Sequence, residues 1–268
     1  MAQPMGRFTV ITSQQNSKIK LVRALLGRAK ERREERAFVV EGVRLVEEAV
    51  SSHWEVRLVL YDESLSERGM SQVESLKSHQ IEVEMASQGL MKSLSETETP
   101  QGILAVVELT QLPIPPSPSF ILIPDQVRDP GNLGTLLRTA AAAGVQAVFL
   151  PPETTDAFAP KVIRSGMGAH FRLPIHTMTW EASHEITQGL QVYLADMDGQ
   201  SCWETDLRQP LALIVGGEAE GASPEARKVT TQKISIPMAG EVESLNAGVA
   251  GSVLMFEVVR QRLKHKGH

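Results

Sequence analysis

Leu112-Pro113-Ile114-Pro115-Pro116-Ser117-Pro118-Ser119 is the segment that most restricts what this chain can form. Four prolines so close together forbid helix and remove sheet donors, so the segment reads as an extended spacer. It divides the sequence into an N-terminal module over residues 1–110, a linker over 111–119 and a C-terminal module over 120–268. With 268 residues and 42% hydrophobic content, the chain is long and apolar enough for each module to bury a core.

Before the spacer the pattern predicts a basic helix over Lys18 to Lys30, a strand at Phe38-Val39-Val40 and a helix from Gly42 to Val50. Further strands are expected at Val56 to Tyr61, Ile81 to Val83 and Ile103 to Leu109. After it, strands at Phe120 to Ile123, Val145 to Leu150, Val192 to Ala195, Leu211 to Val215 and Lys233 to Ile236 alternate with helical stretches. Several of these strands are continuous apolar runs, as expected of a parallel sheet buried on both faces. Helices are expected over Leu133 to Ala143 and from Ser244 to Lys264, the last with more apolar positions than one stripe requires.

Net charge is −5, but it is unevenly spread: residues 1–36 hold nine Lys/Arg against three Glu, a local +6. Such a patch can attract phosphate although the whole chain is acidic. Within it Arg28, Arg32, Arg33 and Arg36 are candidate contacts to the phosphates of a nucleic acid, although the same arginines, interleaved with Glu31 and Glu35, also read as a solvated helix face. The single cysteine, Cys202, excludes an internal disulfide and every multi-cysteine zinc pattern. No histidine pair has metal spacing, so no metal is expected; without a signal segment or a long apolar run the protein is expected to be cytoplasmic, with no membrane partner.

Three blocks carry chemistry. The first, Asp129-Pro130-Gly131-Asn132-Leu133-Gly134-Thr135-Leu136-Leu137-Arg138-Thr139, is turn chemistry ahead of a helix, with Asn132 as expected N-cap. Asn132 and Arg138 lie six residues apart, so they share no helical face. The second, Gly216-Gly217-Glu218-Ala219-Glu220-Gly221, follows an apolar strand at the end where open α/β sheets bind ligands. It lacks the dinucleotide fingerprint and the chain has no P-loop, which removes the nicotinamide oxidoreductase reading. In the third, Ile236 to Ala250, Ser244 reads as an N-cap before a helix start of small residues, Ala247-Gly248, that lets a cofactor or a second backbone pack close. A subsidiary block, Pro160 to Ala169, places Lys161 and Arg164 on one helical face suited to phosphate.

In order and spacing these blocks resemble the signature motifs of the SpoU (TrmH-type) branch of the SPOUT RNA methyltransferases. The resemblance implies an α/β fold in which a knotted SPOUT domain with a parallel sheet follows a small α/β, ribosomal-protein-like substrate-binding domain. It implies methyl transfer from S-adenosylmethionine to a ribose 2′-hydroxyl by a homodimer. Ribosomal RNA of the 23S type is favoured over transfer RNA because of the separate N-terminal module, and a noncatalytic RNA-binding or ribosome-assembly factor is the competing reading. Carried over residue by residue, Arg138, Asn132, Glu218, Ser244 and Asn246 are the catalytic set. Gly216, Ile236 and Leu245, with Met238 and Leu194, would hold the cofactor. The chain has Gly217 where the family usually has Asn, Ser or Ala, and Ala247-Gly248 where Val and Ser are commoner. Because a guanidinium stays charged in proteins, Arg138 is expected to act as a cation rather than as a base.

Overall fold

The computed structural model describes residues 10–217, 221–241 and 244–265. Its contacts divide into two units, Met1–Thr110 and Gln111–His268. In the first, α1 (Ser17–Gly27) begins where the Asn16 side chain accepts from the Lys18 N–H, and it buries Ile19, Val22 and Leu25 at helical spacing. The one basic helix expected over Lys18 to Lys30 is in fact two: Gly27 ends α1, and Arg28, extended at φ −132°, precedes α2 (Ala29–Glu35). There follow β1 (Ala37–Glu41), α3 (Val43–Ser51), β2 (Val56–Tyr61), α4 (Glu67–Ser78), β3 (Glu82–Met85), α5 (Gln88–Leu94) and β4 (Ile103–Glu108). The sheet order is β1-β4-β2-β3, antiparallel except for the β2/β3 pair. Alternation sorts its side chains: Val39, Leu60 and Val106 pack with α1 and α5, while Phe38 turns to the other face, edge-on to Trp54 at 5.9 Å.

The second unit runs β5 (Phe120–Asp125), α6 (Pro130–Ala142), β6 (Ala147–Leu150), α7 (Pro160–Gly166), β7 (Ile175–Thr177), α8 (Trp180–Thr187), β8 (Gln191–Ser201), β9 (Leu211–Gly216), α9 (Pro224–Val229), β10 (Gln232–Ser235) and α10 (Ala247–His265). All strand pairs are parallel, in the order β10-β8-β9-β5-β6-β7. Phe120 and Leu122 of β5 face a core with α6, α7 and α10, while Ile121 and Ile123 face one with α8 and α9, so the sheet is covered on both sides. From β5 the chain winds toward β6, and from β9 it turns away toward β8 and β10, which makes the β5/β9 boundary a topological switch point.

α6 and α10 lie side by side and parallel: Asn132 is beside Gly248, Leu136 beside Gly251, and Thr139 Oγ1 is 2.9 Å from Ser252 Oγ. Gly251 is what allows this approach. A Cβ on Gly248 would stand 3.4 Å from the Asn132 backbone; one on Gly251 would collide with Leu136 and lie 3.2 Å from a Val215 methyl. Of the two uses open to the small residues at the start of α10, close packing of a second backbone is the one this structure shows. Gly251→Val forces that overlap, and we expect a loss of about 1–3 kcal/mol of stability or more, read as a lower midpoint in denaturant unfolding.

Candidate functional site

The carboxyl ends of β5 and β9 meet at the switch point, with Asp125 paired in register to Gly216. The loop leaving β5 ends at Asp129, whose side chain accepts from the Asn132 N–H at 2.8 Å, with Pro130 as first helical residue. Asp129, not Asn132, is therefore the N-cap of α6, and Asn132 sits in the first turn. That turn frees the Asn132 side chain, whose Oδ1 accepts from Asn246 Nδ2 at 2.8 Å. Asn246 is also the residue that caps α10: its side chain accepts from the Val249 N–H at 3.2 Å and its carbonyl from the Ala250 N–H at 2.8 Å. Ser244, expected as that cap, lies exposed two residues ahead of it, and α10 begins at Ala247 rather than Ser244. One hydrogen bond thus joins the first and third sequence blocks, and two helix N-termini point toward the same corner, a place that favours negative charge.

Gly216 and Gly217 run from β9 into a turn in which Gly217 bridges to Gly221. A Cβ on Gly216 would lie 2.7 Å from the Gly221 carbonyl carbon, and one on Gly217 would collide with the Gln126 carbonyl. Only glycine lets these backbones cross so closely. Glu218 lies outside the described residues.

Arg138 stands on the exposed side of α6, two turns beyond Asn132, with no hydrogen bond or ion pair among the described residues. The structure therefore brings Asn132 to Asn246, and leaves Arg138 open to solvent. Lys161 is exposed and 3.8 Å from Asp129; Arg164 follows one turn later on α7. Gly134 of α6 lets α7 pack close, since a Cβ at that position would lie 2.9 Å from the Val162 carbonyl. After β10 and ahead of α10, Ile236 is half-buried, while Met238 and Leu245 are 41% and 36% exposed. Leu194 is a correction: its side chain is fully buried with Ile121 and Ile214, and its backbone is paired to β9 and β10, so it belongs to the core.

Arg32 is a second correction. It is buried, and Nη1 donates to the Leu25 carbonyl at 2.5 Å, so it closes the C-terminus of α1 instead of facing a ligand. Arg28, Arg33 and Arg36 are exposed, Arg28 in a 3.5 Å pair with Glu31. Cys202 is buried, which pushes its thiol up to about 11 and keeps it protonated. Among the described residues no group of three potential metal ligands occurs, and no helix is long and apolar enough to cross a membrane.

Two features escaped the sequence reading. Asp125 ends β5 with its carboxylate wholly buried; the signal was a carboxylate closing an apolar strand. In β8 the pairing with β10 jumps from Leu194↔Lys233 to Gln200↔Ile234, so residues 195–199 leave the ladder. Asp196, in that excursion, is held by Lys233 at 2.8 Å and Arg227 at 3.5 Å, and these cations, Lys233 first, hold its carboxyl below the usual range. Arg227 also donates to the Ala222 carbonyl at 3.2 Å, tying the excursion to the glycine turn.

Comparison with known proteins agrees with this geometry. The SpoU rRNA methylase family matches residues 119–256, and the MRM3-like substrate binding domain matches residues 16–105. A 23S rRNA (guanosine(2553)-2′-O)-methyltransferase of Bacillus subtilis is 35% identical over 92% of this chain and 98% of its own length. A 23S rRNA (uridine(2479)-2′-O)-methyltransferase of Streptomyces viridochromogenes is 32% identical over 98% and 97% respectively. The crystal structure of the SpoU methyltransferase AviRb from that organism, in complex with the cofactor AdoMet, superposes with a TM-score of 0.80 at 30% identity, covering 93% of this chain and all of that one. The chain belongs to the SpoU family of methyltransferases.

Proposed function

We propose that this chain transfers a methyl group from S-adenosylmethionine to a ribose 2′-hydroxyl of large-subunit ribosomal RNA, as a homodimer in the cytoplasm. The observation that carries this reading is the 2.8 Å bond between Asn132 and Asn246, which joins side chains 114 residues apart at the switch point of the sheet. The site fits the cofactor: a glycine turn leaves backbone polar groups within reach, and Ile236, Met238 and Leu245 supply apolar cover for a flat base. Gly216, Ile236 and Leu245 would hold it through backbone. When bound, it supplies an electrophilic methyl group.

The chain's own residues must then make a ribose hydroxyl nucleophilic. Arg138, exposed and unengaged among the described residues, is a permanent cation that grips the adjacent phosphate and stabilises the developing oxyanion, while the proton leaves to that phosphate or to water. The Asn132–Asn246 pair fixes the two helix starts, so their dipoles add to the same stabilisation without reorganisation. Glu218 and Ser244 complete the set on family grounds. Mapping 2′-O-methyl sites in RNA from a deletion strain tests the proposal: one large-subunit site should vanish and return with the wild-type gene. Loss of a transfer-RNA site would redirect the substrate, and loss of none would favour a noncatalytic role.

Support for a second copy comes from α10. Leu254, Met255 and Val258 are buried against the core, whereas Val249, Phe256 and Leu263 recur at seven-residue intervals and are 46%, 49% and 64% exposed. Such a stripe on the outer face suits another helix. Phe256→Glu should convert the dimer to monomer in light scattering after size exclusion; a variant that remains a dimer would move the interface elsewhere.

A further inference from the structure

We propose that Asp125 is a positioning residue for the cofactor, its buried carboxylate holding the glycine turn in the shape that receives it. This rests on the reading that Gly216 lines the cofactor pocket. Asp125 is 0% exposed, and Oδ2 accepts from the Ser223 N–H at 2.6 Å across 98 residues of sequence. Oδ1 is buried with no partner among the described residues. Burying an unmatched acceptor is costly, and an apolar side chain would fill the same space without that cost. The place of this carboxylate gives it a use that an apolar side chain would lack. It is in register with Gly216, while its neighbour Gln126 lies where a Gly217 Cβ would stand, and Ser223 caps α9 by accepting from the Ala226 N–H at 3.1 Å. One bond therefore ties the end of the turn and the start of α9 to the central strand.

Burial pushes the Asp125 carboxyl above its usual range, against the pull of the Ser223 backbone and hydroxyl. The charged groups facing it are Glu225 of α9 and Glu153, itself paired to Arg128 at 2.7 Å, and both acids add to the rise. A folded carboxyl that holds its proton more tightly than the unfolded one contributes stability at low pH and loses it as pH rises through its folded value.

The test uses the full chain with Asp125→Asn, Ser223→Ala and Ser223→Pro. Asn keeps the shape but removes the charge. Pro removes the N–H that Asp125 binds, at a φ of −63° that suits the ring. Calorimetry with S-adenosylmethionine should show affinity about tenfold or more weaker for Asp125→Asn and Ser223→Pro, with the KM for RNA within about twofold of wild type. Ser223→Ala, which loses the cap of α9 and the hydroxyl beside Asp125 but keeps the N–H that Asp125 accepts, should melt lower with affinity within about twofold of wild type. The melting temperature of Asp125→Asn relative to wild type should also climb as pH rises from the ordinary carboxylate value of about 4 through the raised folded value. Wild-type affinity in both Asp125→Asn and Ser223→Pro would overturn the inference and leave the proposed function standing; failure of the wild type itself to bind S-adenosylmethionine would overturn both.

Discussion

Arg138→Ala ends methyl transfer, with turnover falling by at least about 10²–10³-fold, while S-adenosylmethionine affinity stays within a few-fold. The asymmetry follows from where the residue lies. Arg138 is on the exposed side of α6, about two turns along the helix from Asn132, whereas the residues proposed to hold the cofactor lie at the end of β9, after β10 and ahead of α10. On the proposed reading its loss removes the cation on the RNA side and leaves the cofactor's contacts intact. Arg138→Lys should fail nearly as badly, because a point charge does not reproduce a planar two-pronged grip on phosphate. The measurements are single-turnover transfer to RNA from a deletion strain and calorimetry with the cofactor. Near-normal turnover in the lysine variant would refute the assigned role, and a parallel loss of cofactor affinity would place Arg138 on the wrong side of the reaction.

Much of the sheet was legible because its strands are apolar or β-branched runs: Leu211 to Val215, and Val56 to Tyr61 broken only by Arg57, match the observed β9 and β2 to within a residue. Helices with sparse apolar signal were not. In α4 only Gly69, Val73 and Leu76 are buried, and a surface so polar gives no periodicity to read. The helix starts were misplaced for one reason in two places. A side-chain cap competes with its neighbours, and sequence offers several at once: Asp129 and Asn132 ahead of α6, Ser244 and Asn246 ahead of α10. The structure resolves the choice at both ends: Asp129 caps α6 and leaves the Asn132 side chain to accept from Asn246, which caps α10. The partner of Asp125 was invisible for the same kind of reason, its donor, Ser223, being 98 residues away.

The basic N-terminal stretch shows the same limit at the level of charge. Alanine at Arg28, Arg33 and Arg36 together should lower the slope of log affinity against log salt by up to ~2.7 on duplex RNA, or ~2 on single strands. Between about 50 and 200 mM salt the larger slope amounts to roughly 40-fold in affinity. These three are exposed, and the ion pair of Arg28 with Glu31 is a solvent-facing contact that competes weakly with phosphate. Arg32 should behave differently although it lies among them in sequence. Its guanidinium is buried against the Leu25 and Leu26 carbonyls, which α1 leaves unpaired at its end. Arg32→Ala should therefore cost about 1.5–3 kcal/mol of stability and leave the salt slope of the folded protein unchanged. Filter binding across a salt series, with denaturant unfolding of the same variants, separates the two effects. An unchanged slope in the triple variant would mark these arginines as a solvated helix face and shift RNA recruitment to Lys161 and Arg164 of the catalytic unit.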